Sequence, residues 1–172
     1  MPPSLWIAIP IVLGCTQALQ VSLLGAMNQL RGPGEASWVS ILGSLAGLSL
    51  ALALQALSGR SLAMPGAFAL PLVPAAVALA AAAILAFAIQ GIPAYLGLAG
   101  LLAVPYLLAA SFLAPRIGVG LFLAAIITGQ LLGGVALDHV GAFGAVPRPV
   151  DLSRLLGIAA LLVGVVLIRG RR

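Results

Sequence analysis

The stretch LWIAIPIVLGCTQALQVSLLGAM, Leu5 to Met27, contains no charged residue and is closed by Asn28 and Arg31. A hydrocarbon core about 30 Å thick takes roughly 20 residues of α-helix, so this run can cross a bilayer by itself. It lacks a basic leader and exceeds the roughly 7–15 apolar residues of a signal peptide, so it reads as a retained span. Five further runs follow the same pattern. Ala36 to Leu57 stops at Ser58, Gly59 and Arg60. Phe68 to Gln90 is dominated by alanine and carries Pro71 and Pro74 near its start. Ile92 to Ala114 is set off from it only by the Gln90-Gly91-Ile92-Pro93 break. Pro115, Arg116 and Gly118 then turn the chain into Val119 to Leu137. A polar loop rich in glycine and proline, Asp138 to Arg148, leads to Leu152 to Ile168, and Arg169, Arg171 and Arg172 follow. The expected fold is all-α: one polytopic membrane domain over residues 1–172, a bundle of about six transmembrane helices.

Composition supports that reading independently. Hydrophobic residues make up 63% of the chain and charged residues 6%, against roughly a quarter charged in a soluble domain. There is too little charge to solvate an exterior in water, so the surrounding partner is the lipid bilayer. The net charge of +5 comes from eight arginines, with no lysine, set against Glu35, Asp138 and Asp151. These arginines are scattered singly between apolar runs and form no basic stripe, which argues against nucleic acid. They sit where arginine meets lipid headgroups. Cys15 is the lone cysteine, which excludes an internal disulfide and suits a small packing residue.

With six spans, both termini share a side with Arg60 and Arg116, giving five arginines with the tail against three at Arg31, Arg148 and Arg154. The positive-inside rule places both termini in the cytoplasm. The bias rests on the carboxyl tail: without it the balance is two against three. A difference this thin is compatible with insertion in both directions.

Lipid supplies no hydrophobic drive for helix association, so small residues and polar contacts must hold such a bundle together. In the second run, Ser37, Ser40, Gly43, Ser44 and Gly47 share one face at 100° per residue. The fifth run repeats the device with Gly129 and Gly133, and with Gln130 and Gly134. The last run has Gly157, Ala160 and Gly164. These stripes read as helix-packing faces; they say where helices can touch and nothing about what passes between them.

Polar residues inside spans need partners away from water. Gln17, Gln20 and Asn28 fall within about a quarter of the first helix's circumference, with Gly14 and Leu24 nearby. In the fifth run Thr128, Gly129 and Gln130 put an amide near mid-span, and Asp138 and His139 read as interfacial loop groups at its end. Interhelical hydrogen bonding, at about 0.6–2 kcal/mol per contact, is one account of the amides. A lining for a polar solute path is the other. No carboxylate stands securely in mid-span, where proton-coupled pumps keep an ionisable group. One histidine, one cysteine, no phosphate-binding glycine loop and no metal-ligand spacing leave nothing for a cofactor, a metal or soluble-enzyme chemistry. Neither Ser111 nor Thr128 has an evident base, so the chain does not read as an enzyme.

Taken together, several segments resemble the YdcZ-like family of the drug/metabolite transporter superfamily. They are Gln17 through Asn28-Gln29-Leu30, the glycine- and serine-rich second run, Ala114-Pro115-Arg116-Ile117-Gly118, and Gly129-Gln130-Leu131. Asp138-His139-Val140-Gly141-Ala142-Phe143-Gly144 and Arg154-Leu155-Leu156-Gly157 complete the set, which covers about two thirds of the chain. The resemblance implies a bacterial inner-membrane exporter of a small solute. Relatives are typically chains of about five helices that work as oppositely oriented halves or fused copies, rocking about a midplane site. It therefore implies a homodimer, with antiparallel (dual-topology) insertion left open. It also implies Gln17, Asn28, Gln130 and Asp138 as the functional residues, with Gln20 on the same stripe. The amides would orient the solute or close a gate, and Asp138 would govern the loop or a coupling ion. The alanine-rich run stands out against the five-helix pattern as an extra helix. Competing classes are a non-transporting scaffold or subunit, and an intramembrane enzyme or lipid-handling protein.

Overall fold

Six α-helices carry the chain in the computed structural model, which describes residues 5–60 and 62–169; no strand occurs among the described residues. They are α1 (Leu5–Arg31), α2 (Pro33–Leu57), α3 (Leu72–Ala88), α4 (Ala103–Ile117), α5 (Val119–Val140) and α6 (Leu152–Arg169). Short 3-10 turns lie at Gly66–Ala69, Ala94–Ala99 and Ala142–Gly144. Residues Trp6–Arg31, α2, Ala94–Ile117 and α5 are each long and apolar enough to cross a membrane, while Leu72–Ala88 and Leu152–Ile168 are shorter apolar helices. The chain is a polytopic helical membrane bundle. Arg171 and Arg172, on which the charge bias leans, lie outside the described residues.

Several boundaries depart from the sequence expectation, each for a local reason. Helix α2 opens at Pro33, ahead of Ala36, because the first helical position has no intrahelical bond for a proline to forfeit. Gly32 turns the chain between α1 and α2 with φ at 85°, a conformation that costs glycine little. Helix α3 is shorter than Phe68 to Gln90: Pro71 is its cap, Pro74 lies in its first turn, and Ile89 ends it. The stretch from Ile92 is not one regular helix, since Pro93 opens the Ala94–Ala99 turn and α-geometry begins at Ala103.

The largest correction concerns Asp138 and His139. They belong to the last turn of α5 rather than to the loop, because the helix runs on to Val140. Gly141 stops it in the left-handed region (φ 61°, ψ 43°), donating its N–H to the Asp138 carbonyl. A left-handed glycine is a common way to satisfy the last carbonyls of a helix.

The chain forms two compact units. One holds α1 up to Ala26 and everything from Pro105 onward; the other is Met27–Val104. In the first unit, buried Leu113, Phe122 and Ile126 form a core, with Trp6, Ile9, Leu13 and Tyr106 packed on it. Tyr106 and Phe122 are tilted rings with centroids 6.1 Å apart, and Trp6 stacks on Phe112 at 6.4 Å. The Arg116 guanidinium lies 3.5 Å from the Phe112 ring centroid and donates to the Phe112 carbonyl. A cation over an aromatic face there gains both π attraction and a free C-terminal carbonyl.

In the second unit α2 packs on α3 and on the Ala94–Ala99 segment. A Cβ on Gly43 would stand 2.9 Å from Gly100 Cα, and one on Gly100 would strike the Ser40 carbonyl oxygen. Ser44 Oγ lies 2.8 Å from the Ser40 carbonyl and 2.9 Å from that of Gly100, tying the two backbones together. Gly47 faces the side chains of Leu101 and Val104. At the far end of α3, Arg31 donates to the carbonyls of Ala88 and Gln90, closing a helix terminus that would otherwise leave acceptors unmet. Outward-facing leucines and valines such as Leu79, Leu156 and Leu167 remain exposed, as expected of surfaces solvated by lipid.

Candidate functional site

Helices α1 and α5 cross in the first unit with no side chain between them. A Cβ on Gly14 would collide with the Ile126 carbonyl oxygen and stand 2.8 Å from Gly129 Cα. One on Gly129 would collide with the Ile11 carbonyl oxygen and stand 2.9 Å from Gly14 Cα. One turn on, a Cβ on Gly133 would come within 2.9 Å of Ala18 Cβ. Small residues at this spacing let two backbones touch.

This approach brings two amides together. Gln130 follows Gly129 directly and Gln17 lies one turn after Gly14, so both project into the same seam. Gln130 Nε2 donates to Gln17 Oε1 at 2.5 Å, and both residues are half-buried. Cys15 Sγ donates to the Gly129 carbonyl at 3.3 Å. Thr128 is buried and turns its hydroxyl back onto the Ala124 carbonyl at 2.8 Å. Each amide offers two N–H donors and a carbonyl with two lone pairs, and their mutual bond uses one donor and one acceptor.

Asp138 stands apart from this pair at the end of α5. Its carboxylate lies 3.6 Å from Arg154 Nη1 in the first turn of α6. That nitrogen is buried without a hydrogen-bond partner and rests on this charge contact. The loop is fastened to the same helix end by two backbone donors. Arg148 N–H reaches the Asp138 carbonyl at 2.8 Å, and Val150 N–H reaches His139 Nδ1 at 3.3 Å. Asp151 then caps α6: its Oδ1 accepts from the Arg154 N–H and the Ser153 hydroxyl, each at 2.8 Å. These bonds favour the ionised carboxylate and hold Asp151 below its ordinary pKa of 3.8, the Arg154 N–H contributing most and the Ser153 hydroxyl next.

The sign of the linkage follows. A depressed folded pKa gives stabilisation that is complete above the ordinary value and lost as pH falls through the folded one. Amide protection over 152–156, taken relative to the intrinsic exchange rate at each pH, should be flat from neutral pH down to about 5 and fall below about 4. Asp151→Ala should exchange faster at pH 7 and lose that acid-side step. Exchange in the variant that still shows the step would mean that another group carries it.

Of the residues singled out in the sequence, the structure therefore pairs Gln17 with Gln130 and gives Asp138 a cation. Gln20 is half-buried on α1, and Asn28 is exposed and falls in the other unit. Ser40, Gly43, Ser44 and Gly47 face the second unit's packing, and Gly129 and Gly133 the α1–α5 crossing. A Cβ on Gly157 or Gly164 would meet nothing within 4 Å among the described residues. Gly14, Gly100 and Arg154 carry more of the arrangement than the sequence suggested. Gly14 lay beside the amide stripe, and Arg154 sits one loop from Asp138 with opposite charge; Gly100 gave no signal. Among the described residues, no three of His, Cys, Asp and Glu come close enough to hold a metal ion.

Neither a curated protein nor a solved structure matches the chain. The family described as "Putative inner membrane exporter, YdcZ" matches residues 62–167. That match takes in Gln130, Asp138 and Arg154, and it opens ahead of α3, so the alanine-rich helix lies within the family region. The first helix, with Gln17, precedes it. An exporter family is a membrane-transport family and not an enzyme family. With most of its length inside the match, this helical membrane protein belongs to the YdcZ family.

Proposed function

We propose that the chain exports a small hydrophobic or weakly polar solute across the bacterial inner membrane by alternating access, acting as a homodimer. The observation that carries the reading is the Gln17–Gln130 pair, two half-buried amides bonded to each other at a crossing of apolar helices. Spare donors and acceptors inside a membrane mark a place where a polar group can be received. Exchange of the mutual bond for bonds to a solute would leave the amides' hydrogen bonding nearly balanced. Gln20 and Asn28 extend the polar stripe along α1. Asp138, held by Arg154, governs the loop between α5 and α6 or a coupling ion.

Transporters of this general design place the site between two related halves. One chain supplies a single half, and a second copy completes it. The thin arginine bias, two against three apart from the carboxyl tail, supports an antiparallel pair. The pairing of the amides with each other also suits a non-transporting scaffold, in which they stay bonded and dry.

Flux through proteoliposomes separates the two readings. Wild type should move at least one member of a broad panel of small apolar and weakly polar solutes. Gln130→Leu should slow that flux about tenfold, the equivalent of one lost hydrogen bond of roughly 1–1.5 kcal/mol. Failure of the wild type across the whole panel would favour the scaffold, and equal flux through both proteins would take the amide pair out of the solute path.

A further inference from the structure

Helices α2 and α3 of the second unit leave a groove between them of about 480 Å3. Leu50, Leu54 and Leu57 form the α2 wall and Ala75, Ala78 and Ala82 the α3 wall, while Gly47 and Leu101 close the deep end. Every residue lining it is alanine, leucine or glycine. An ordered water needs two to four polar partners, and none is offered here. Apolar cavities of about 150 Å3 stay dry and accept a hydrocarbon guest; this one is about three times larger and opens sideways.

Its dimensions select the guest. From Gly47 to Leu57 the groove follows ten residues of α2, about 15 Å at 1.5 Å per residue. That is half of a hydrocarbon core of about 30 Å, the depth of one leaflet. An unbranched alkyl chain reaching one leaflet deep matches that length. At the Leu57 end, α2 gives way to Ser58, Gly59 and Arg60. The Arg60 N–H is still bonded to the Gln55 carbonyl at 3.3 Å, which keeps this exposed cation within a turn of the groove's mouth. Glu35, the acidic residue of this unit, lies at the opposite end of α2 beside Arg31.

We infer that the groove seats one acyl chain of an anionic phospholipid, with the lipid phosphate at Arg60. Its leaflet-long apolar walls take the chain, and the unopposed arginine at the headgroup level takes the charge. The site is separate from the Gln17–Gln130 seam and does not depend on the transport reading.

Fluorescence quenching by brominated lipids tests it on the full chain in phosphatidylcholine vesicles. Trp6→Phe and Trp38→Phe remove the native tryptophans, and Leu79→Trp places a reporter on the groove's rim. Ala80→Trp places a control at the same depth on α3, away from the groove. At a small equal mole fraction, chain-brominated phosphatidylglycerol should quench the Leu79→Trp reporter about fivefold more effectively than brominated phosphatidylcholine, the preference one arginine gives for an anionic headgroup. The control should show no preference, and Arg60→Gln should abolish it at the rim. Equal quenching of the rim reporter by both lipids would overturn the site. A preference that survives Arg60→Gln would overturn the headgroup assignment.

Discussion

Gly129→Ala should cost about 3 kcal/mol or more, the upper end of what overpacking costs. The added methyl would be driven into the Ile11 carbonyl and toward Gly14 Cα, so backbone meets backbone and no side chain can rotate away. Relief requires α1 and α5 to separate, which also pulls Gln130 from Gln17 and Cys15 from the Gly129 carbonyl. For a chain of this size that corresponds to a melting temperature lower by about 6–12 °C. Gly134→Ala is the matched control on the same helix, since a Cβ there meets nothing within 4 Å. It should be neutral or raise stability by up to about 1 kcal/mol, the helix-propensity gain of alanine over glycine. Thermal unfolding in detergent that gave both variants the same midpoint would contradict the crossing.

The second large effect concerns the amides. Gln130→Leu strands Gln17 in an apolar seam, and Gln17→Leu strands Gln130, so each alone should cost about 1–2 kcal/mol. The double substitution removes both polar groups and should be no worse than either single one. With each single loss near 1 kcal/mol and the double loss about the same, the coupling is about 1 kcal/mol, within the range measured for hydrogen bonds inside membranes. Strictly additive losses would mean that the two amides do not meet. The cycle also separates stability from transport. The double variant should fold as well as either single one and still fail to move solute, whereas a scaffold would lose no function by it.

What the sequence could say about these features depended on whether the information is local. Span length and charge poverty are properties of one segment, and they marked out six apolar helices but not where prolines would trim or break them. Gln17 and Gln130 also stood out locally, as amides where lipid offers no partner. Their meeting did not, because it requires knowing which faces of two distant helices cross. The pattern at Gly157, Ala160 and Gly164 illustrates the same point from the other side. It resembles the stripe on α2, yet a Cβ on either glycine would meet nothing within 4 Å among the described residues, since small residues permit a close approach without dictating one. Gly100 was invisible for the complementary reason: its role exists only opposite Gly43 and Ser40. Asp138 was misplaced in the loop because glycine and proline cluster after it, while the stop itself depends on Gly141 adopting positive φ. The prolines at 71 and 74 were seen, but their effect in starting α3 late depended on where its first turn formed.

In the proposed mechanism, solute reaches the Gln17–Gln130 seam from both faces of the membrane. Thiol accessibility tests this most directly. In a Cys15→Ala background, Gln130→Cys in sealed vesicles is treated with a membrane-impermeant thiol reagent applied outside or trapped within. Modification is expected from each side, with protection by a transported solute. A thiol that stays unmodified from both sides, yet reacts fully once the protein is denatured, would contradict it.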